Sequence, residues 1–190
     1  MSPDETHAEK ARLRAELLAA RRQRSAGDLE QARAALRAVI LPRVSGLSVV
    51  AAYLPMRTEP GSVELLAGLA AQGVRVLVPV TMPDRDLDWA PWSVDGVGAG
   101  MGVDAITATE LVLAPALAVA SDGTRLGRGG GSYDRALSRL PRHVRVAALV
   151  FDDEVVDSLP RNRWDVPVAA AATPGGWIEL AGNPEMRPDR

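Results

Sequence analysis

Residues 46–80 have the sequence GLSVVAAYLPMRTEPGSVELLAGLAAQGVRVLVPV. The apolar, partly β-branched run at 46–54 is bounded by glycine and proline, which is typical of a buried strand. A short helix is predicted at 62–72, because its leucines have helical spacing and Gly73 ends the segment. A second apolar run at 74–80 predicts the next strand. A strand, a helix and a strand in this order predict a βαβ unit with parallel strands.

The same alternation extends in both directions along the chain. An amphipathic helix is predicted over about 6–24 and a second one over 29–40, with Asp28 as its N-cap. Further elements are predicted as strands at 87–92, 110–115, 143–151 and 166–171, a loop at 95–102 and a helix at 133–140. Because the strands are apolar throughout and alternate with helices, we expect an α/β fold. Its mostly parallel open sheet is flanked by helices on both faces and preceded by an N-terminal helical pair.

Composition limits the kind of protein this can be. The 190 residues, 47% hydrophobic and 24% charged, suit a single domain over 1–190, with about 182–190 as a flexible tail. A net charge of -2 gives no global field for nucleic acid or anionic lipid. No cysteines and two histidines exclude thiolate and multi-histidine metal centres. With a polar start and no long apolar run, we expect a cytoplasmic protein without membrane partners. We also expect a monomer that acts on small molecules and has no nucleic-acid partner.

The strongest local signal is RLGRGGGSYD at 125–134, with four glycines in the five positions 127–131. Glycines permit positive φ and leave backbone N–H groups unobstructed, and a predicted helix follows directly. This pattern favours a phosphate-binding loop. Arg125 and Arg128 can clamp phosphate oxygens, and Asp134 is suited to a phosphate-bound Mg²⁺. A flexible turn without a ligand is the alternative.

Two known nucleotide-binding motifs also contain glycine-rich loops. A P-loop requires a lysine after the glycines, and none is present. A dinucleotide-binding fingerprint has glycine where Ser132 stands, although Asp152 lies about 20 residues further on, as that fingerprint requires. The glycines there follow a strand by a tight turn, whereas here a long connection separates them from Pro115. The dinucleotide hypothesis therefore has weak support.

Three other parts of the chain carry candidate site residues. Lys10 is the only lysine beside 21 arginines, and it shares a helix face with Arg14, either as a solvated surface or as a phosphate contact. Glu59 follows a predicted strand, at the edge where α/β sheets bind ligands, or is an ordinary turn residue. Asp165 is either a second carboxylate of the site or a strand-entry cap. The two histidines have no partners at catalytic spacing and are assigned no role.

Several segments occur in a characteristic order along the chain. They are Lys10-x-x-Leu13-Arg14, Tyr53-Leu54-Pro55-Met56, Glu59-Pro60-Gly61-Ser62, Thr124 to Asp134, Asp165-Val166-Pro167-Val168 and Thr173-Pro174. In this order they resemble the 5-formyltetrahydrofolate cyclo-ligase family, also called 5,10-methenyltetrahydrofolate synthetase. The resemblance extends over nearly the whole chain, and the glycine segment is its most specific part.

The resemblance implies an enzyme that uses ATP and Mg²⁺ to cyclise 5-formyltetrahydrofolate to 5,10-methenyltetrahydrofolate, with release of ADP and phosphate. Lys10 and Arg128 would have catalytic roles. The residues implied to hold ATP are Lys10, Arg14, Arg125, Gly127, Arg128, Gly129, Gly130, Gly131, Ser132 and Tyr133. Met56 and Glu59 would contact the folate, and Asp134 and Asp165 would ligate Mg²⁺. Such a reaction needs charge neutralisation and alignment more than a nucleophilic side chain.

Some positions depart from the family's pattern. Ser132 stands where tyrosine is frequent, Gly61 where a second acid is common, and Ala169 where aspartate is frequent. The stretch 93–102 is short and lacks the usual proline-containing segment. These departures keep open a non-catalytic nucleotide- or folate-binding regulator. The glycine loop by itself also allows a dinucleotide- or sugar-phosphate-binding α/β enzyme.

Overall fold

Helices and strands alternate along residues 3–181, which are the residues that the computed structural model describes. The α-helices are α1 Pro3–Gln23, α2 Ala26–Ile40, α3 Val63–Ala71 and α4 Ser132–Ser138. The strands are β1 Val49–Ala51, β2 Arg75–Thr81, β3 Leu87–Ser93, β4 Gly96–Val97, β5 Leu111–Pro115, β6 Ala118–Ala120, β7 Arg125–Leu126, β8 Arg145–Leu149, β9 Val155–Val156, β10 Ala170–Thr173 and β11 Gly176–Glu179. Short 3-10 helices lie at Leu41–Val44, Val103–Ala108 and Asp152–Glu154. The tail predicted at 182–190 falls outside the described residues.

The main sheet has eight strands in the order β11-β10-β8-β5-β1-β2-β3-β4. The five strands from β10 to β2 are parallel, and antiparallel strands extend the sheet at both edges. The chain runs from β1 to β2 on one side and later returns to β5 on the other side of β1. The strand order therefore reverses at β1, and open α/β sheets bind ligands beside such a switch point.

Helices cover both faces of this sheet. Leucines and isoleucine of α2 and α3 pack on one face, and α4 with the 3-10 helix Val103–Ala108 packs on the other. Within β5, Leu111 and Leu113 belong to the first core, whereas Val112 and Ala114 belong to the second. A strand that is buried on both faces has no polar side to alternate with, which explains its continuous apolar sequence. The predicted α/β fold and its two N-terminal helices are confirmed.

The second helix begins earlier than its predicted cap. Ser25 is the N-cap of α2, and its Oγ accepts a hydrogen bond from Asp28 N at 3.1 Å. The prediction of Asp28 as the cap is wrong, because serine takes that role one turn earlier and leaves Asp28 inside the first turn. An acidic residue there is still favourable beside the unpaired N–H groups of the helix start.

The last predicted strand, 166–171, has the wrong bounds. β10 begins at Ala170, and Val166 and Val168 are buried in the loop before it. Val168 N donates to Gly123 O at 2.9 Å, so this backbone bonds outside the main sheet. An apolar run indicates burial, and a buried loop meets that condition as well as a strand does.

Short strands also occur where loops, or no element, were predicted. The connection after β5 contains β6, which pairs with β7 and β9 in a separate three-stranded sheet. The predicted loop 95–102 contains the two residues of β4, and β11 adds a C-terminal hairpin to β10. The small sheet places β7, and with it the glycine loop, beside the carboxyl end of β5.

Candidate functional site

A cavity of about 480 Å³ lies at the carboxyl ends of β1, β2 and β5. Its walls come from α1, from the segment 53–59 after β1, from the end of β2, from 115–117 after β5, from 125–134 and from the turn 162–165. Every site residue predicted from the sequence lines this one cavity. Their convergence follows from the topology, because parallel strands bring the segments that follow them to one edge of the sheet.

The glycine loop, residues 127–131, joins β7 to α4 in a conformation that requires glycine. Gly129 and Gly131 have φ of 104° and 68°, which side chains rarely adopt. At Gly127 the φ is ordinary, but a Cβ would lie 2.8 Å from Arg125 Nη1. The loop can therefore pass close to a ligand with its backbone N–H groups uncovered.

Arg125 is a buried cation beneath the glycine loop. Its side chain is 4% exposed, and Nη2 donates to Asp134 Oδ1 at 3.0 Å. Nη1 donates to Pro115 O at 3.3 Å, and Asp134 Oδ1 also accepts from Val166 N at 3.3 Å. Asp134 thus ties the start of α4 to both the end of β5 and the loop before β10.

Lys10 and Arg14 reach the cavity from α1. The Lys10 side chain is only 6% exposed and pairs with the carboxylate of Asp165. Arg14 Nε donates to Gly127 O at 2.9 Å, so the same helix face also contacts the glycine loop. The alternative of a solvated surface for these two residues does not hold, because their helix face is turned into the protein.

Asp165 closes a turn as well as pairing with Lys10. Its Oδ2 accepts from Asn162 N at 2.7 Å, and its own N–H donates to Asn162 O at 3.1 Å. It is not a strand-entry cap, since β10 begins only at Ala170. The turn 162–165 is therefore connected to α1 through a buried ion pair.

A second buried ion pair fixes the other end of α1. Arg21 Nε and Nη2 donate to the two carboxylate oxygens of Glu154 at 2.7 Å each. Nη2 also donates to Ala116 O at 2.6 Å, and Glu154 Oε2 accepts from Phe151 N at 2.9 Å. A bidentate pair with these added bonds holds α1 in place and so positions Lys10 and Arg14.

Glu59 serves both in a turn and in the site. Its Oε2 accepts from Met56 N at 2.8 Å, which closes the turn after β1. Its Oε1 accepts from Arg128 Nε at 3.1 Å. Glu59 is buried, whereas Arg128 is partly exposed at the cavity. The pair connects the segment after β1 to the glycine loop.

Two tyrosines lie in the cavity wall with buried hydroxyl groups. Neither the Tyr53 nor the Tyr133 hydroxyl has a hydrogen-bond partner among the described residues. Burial raises the pKa of both groups well above the ordinary value, and the negative charge of Glu59 adds to the effect. Both phenols are therefore neutral at physiological pH. A Cβ on Gly61 would lie 3.0 Å from the Tyr53 hydroxyl oxygen, so Gly61 leaves room for that ring.

Other lining residues were not predicted from the sequence. The polar and aromatic ones are His7, Tyr53, Thr81, Asn162 and Trp164. His7 lies three residues before Lys10 on α1, so helical spacing could have predicted its place in the site. Tyr53 follows a strand, so its position at a strand end could have predicted the same. Trp164 had no such signal beyond its position next to Asp165.

The site has few groups that could hold a cation. Among residues 3–181 no cluster of three histidine, aspartate or glutamate side chains forms a metal site. Mg²⁺ commonly binds through one or two carboxylates together with substrate phosphates, and Asp134 and Asp165 fit that limited role beside the glycine loop.

No helix within the described part of the chain is long and apolar enough to cross a bilayer.

The dinucleotide alternative finds no support in this geometry. Asp152, the carboxylate that would contact a ribose, accepts a hydrogen bond from Gly175 N at 2.9 Å. It does not line the cavity. The glycine loop also follows β7 of the small sheet instead of a strand of the parallel sheet, unlike the tight turn of that fingerprint.

Comparison with known proteins gives one consistent family. Residues 6–174 match the sequence profile of the 5-formyltetrahydrofolate cyclo-ligase family. A 5-formyltetrahydrofolate cyclo-ligase from Mycolicibacterium smegmatis is 37% identical over 151 residues, which cover 69% of this chain and 78% of that protein. One from Escherichia coli K12 is 28% identical over 156 residues, covering 74% and 86%.

Solved structures agree on the fold. A 5,10-methenyltetrahydrofolate synthetase from Mycoplasma pneumoniae has a TM-score of 0.75 at 20% identity, covering 87% of this chain and 99% of that one. The Aquifex aeolicus 5,10-methenyltetrahydrofolate synthetase has a TM-score of 0.68 at 21% identity, covering 95% and 94%. At these identities the likeness concerns the fold alone.

Proposed function

The chain belongs to the 5-formyltetrahydrofolate cyclo-ligase family, and we propose that it cyclises 5-formyltetrahydrofolate to 5,10-methenyltetrahydrofolate with ATP. The observation that carries the proposal is the convergence of a glycine loop, buried cations and an apolar wall in one cavity. The first two suit a triphosphate, and the third suits the rings of a reduced folate.

The reaction explains why ATP is needed. The formyl group on N5 is an amide, so its carbon is a poor electrophile and its oxygen a poor leaving group. In the proposed reaction the formyl oxygen attacks the γ-phosphorus of ATP and ADP leaves. N10 then bonds to the formyl carbon and loses its proton, and the oxygen departs within phosphate. Cleavage of one phosphoanhydride bond of ATP thereby drives the formation of one carbon–nitrogen bond.

The cations are proposed to hold and neutralise the triphosphate. Lys10 on α1 and Arg128 within the glycine loop both line the cavity, and Arg14 contacts the loop at Gly127. Fixed donors aimed at transferring phosphoryl oxygens stabilise the charge that develops there, and they need no reorganisation during the step. Arg125 lies deeper and holds the loop and Asp134 in position.

Mg²⁺ is proposed to accompany the nucleotide, with Asp134 and Asp165 as its protein ligands. When bound, it would neutralise phosphate oxygens. In the structure both carboxylates have cationic partners, Arg125 and Lys10. They therefore keep the two cations at the cavity when no nucleotide is bound.

The folate is proposed to bind on the β1 side of the glycine loop. Leu54 and Met56 are exposed there, and Pro79 and Leu87 complete an apolar wall suited to flat aromatic rings. Glu59 adds a buried carboxylate that can accept hydrogen bonds from ring N–H groups. We further propose that the chain acts as a single domain, since one sheet contains strands from Val49 to Glu179. A monomeric state and a cytoplasmic location remain predictions.

The experiment that tests the function measures two products together. The purified protein is incubated with 5-formyltetrahydrofolate, ATP and MgCl₂, and methenyl product and phosphate are measured. We expect equal amounts of both, and neither when folate, ATP or metal is omitted. A non-catalytic regulator would be stabilised by its ligands without product, and phosphate release without folate or full turnover after metal chelation would contradict the proposal.

A further inference from the structure

Trp164 is a large aromatic side chain that remains exposed in the wall of the cavity. It is 57% exposed, whereas Trp89 in the core is 0% exposed. Within residues 3–181, no other aromatic side chain is among the exposed large hydrophobics. An apolar ring of this size left uncovered in a cavity is typical of a ligand contact.

The backbone that carries Trp164 is fixed before any ligand binds. Asp165 closes the turn through two hydrogen bonds with Asn162 and pairs with the buried Lys10. The guanidinium carbon of Arg163 lies 5.8 Å from the centre of the indole ring, a cation–π contact. The indole therefore has a defined position, which lowers the entropic cost of binding a ligand against it.

The glycine loop contacts two different parts of the cavity wall. On one side Arg128 pairs with Glu59 after β1, next to the apolar wall. On the other side Gly127 O accepts a hydrogen bond from Arg14 of α1. Lys10 of the same helix pairs with Asp165, which follows Trp164 directly in the turn 162–165. If the phosphates of a nucleotide lie on the loop and the folate lies on the β1 side, the base of the nucleotide lies on the α1 side.

We propose that the indole of Trp164 stacks on the adenine of bound ATP. The proposal rests on the proposed function, because it requires a nucleotide whose phosphates lie on the glycine loop. Trp164 then favours the binding of ATP over that of a bare polyphosphate. Stacking between an aromatic side chain and a base makes a substantial contribution to nucleotide affinity.

The test compares a ligand with a base and a ligand without one. Binding of ATP and of inorganic tripolyphosphate, each with Mg²⁺, is measured by calorimetry for the wild type, Trp164→Ala and Trp164→Phe. We expect Trp164→Ala to weaken ATP binding by about tenfold or more, as loss of a base stack does. Tripolyphosphate binding should not change, and Trp164→Phe should restore most of the ATP affinity.

A matched control is available in Trp177, which has a similar arginine contact, Arg43 at 5.2 Å, but lies outside the cavity. Trp177→Phe should leave both affinities unchanged. In steady-state kinetics Trp164→Ala should raise KM for ATP and leave KM for 5-formyltetrahydrofolate unaltered. Its melting temperature should equal that of the wild type, because the ring is exposed.

Four results would overturn the inference. A raised KM for the folate with normal ATP affinity would assign the ring to the other substrate, and equal weakening of ATP and tripolyphosphate would assign it a merely structural role. Unchanged ATP binding in Trp164→Ala, in a protein that still turns over, would refute the stacking alone. Failure of the wild type to bind ATP would refute the proposed function as well.

Discussion

Lys10 is a charged side chain held almost entirely out of water. Its ammonium group has the carboxylate of Asp165 as a partner, and both side chains are buried. Removing one member of a buried ion pair leaves an uncompensated charge, which is strongly destabilising. Retaining such a pair at a cavity is expected when the cation is needed for a ligand.

We expect Lys10→Ala to lower kcat/KM for ATP by about tenfold to a thousandfold, because one charge contact to a transferring phosphoryl group is worth several kcal/mol. Lys10→Arg keeps the charge but is bulkier, so it should recover only part of the loss. Arg12→Ala serves as control, since Arg12 is an exposed cation of the same helix. Equal kcat/KM for the wild type and Lys10→Ala would show that Lys10 of α1 does not contribute to the use of ATP.

Asp134→Asn tests the proposed metal ligand. Asparagine can still accept hydrogen bonds from Arg125 and Val166, so the fold should persist with a moderately lower melting temperature. Loss of the negative charge should raise the Mg²⁺ concentration needed for half-maximal turnover by about tenfold, the equivalent of one charged ligand contact. Asp153→Asn, at an exposed acid outside the cavity, is the control. An unchanged Mg²⁺ requirement would limit Asp134 to its structural contacts.

The residues with a charge or a backbone constraint were the ones that sequence could identify. A glycine run, a lone lysine and a carboxylate after a strand can each be recognised from the sequence alone, and all of them line the cavity. Trp164 carries no such signal, because an aromatic residue is equally suited to a core. Whether Lys10 is solvated or buried depends on Asp165, 155 residues away, and no local pattern contains that information.

At the scale of secondary-structure elements, α1 is the one that brings cations to the cavity. Its apolar contribution to the cores is small, since the buried residues among its described side chains are Thr6, Lys10 and Arg21. The Arg21–Glu154 pair and the bond to Ala116 O are therefore its main anchor. The position of α1 depends on this pair more than on hydrophobic packing.

We expect Arg21→Met to cost about 3 to 5 kcal/mol of unfolding free energy, as loss of one partner from a buried ion pair does. For a chain of this size that corresponds to a melting temperature lower by about 6 to 20 °C. Affinity for ATP should fall with it, because Lys10 and Arg14 lie on the same helix. Arg22→Met is the matched control at an exposed neighbour. If Arg21→Met melts at the same temperature as Arg22→Met, contacts other than the Arg21–Glu154 pair hold α1 in place.

Strand prediction succeeded where the strands are long and apolar and failed where they are short. β2 and β5 have continuous β-branched or leucine-rich runs and were found within a residue or two. β6 and β10 are mostly alanine, a residue with little preference for strands, and β7 has only two residues. Their pairing is set by distant segments, so the small sheet under the glycine loop was not predictable.

At the scale of the whole molecule, the two tyrosines connect stability to pH. They are the only tyrosines in the chain, and burial raises the pKa of both. Above about pH 10 the unfolded chain releases the two protons and the folded protein keeps them. The folded state then binds more protons than the unfolded state, so the free energy of unfolding falls as pH rises through this range.

We therefore expect tyrosinate absorbance to appear only together with unfolding. Ultraviolet absorbance and far-ultraviolet circular dichroism, followed from about pH 8 to 13, should change in one common transition above the ordinary tyrosine pKa of about 10. Tyr53→Phe should halve the absorbance change, which checks the assignment. Ionisation of either tyrosine near pH 10 in a still folded protein would contradict the burial of that hydroxyl.

The fate of the formyl oxygen tests the proposed reaction most directly. 5-Formyltetrahydrofolate labelled with ¹⁸O in its formyl group is converted by the enzyme with ATP and Mg²⁺, and the released phosphate is analysed by mass spectrometry. Attack of the formyl oxygen on the γ-phosphorus predicts one ¹⁸O atom in every phosphate released. Unlabelled phosphate, with the label lost to water, would contradict phosphoryl transfer to the formyl group and with it the function assigned to this cavity.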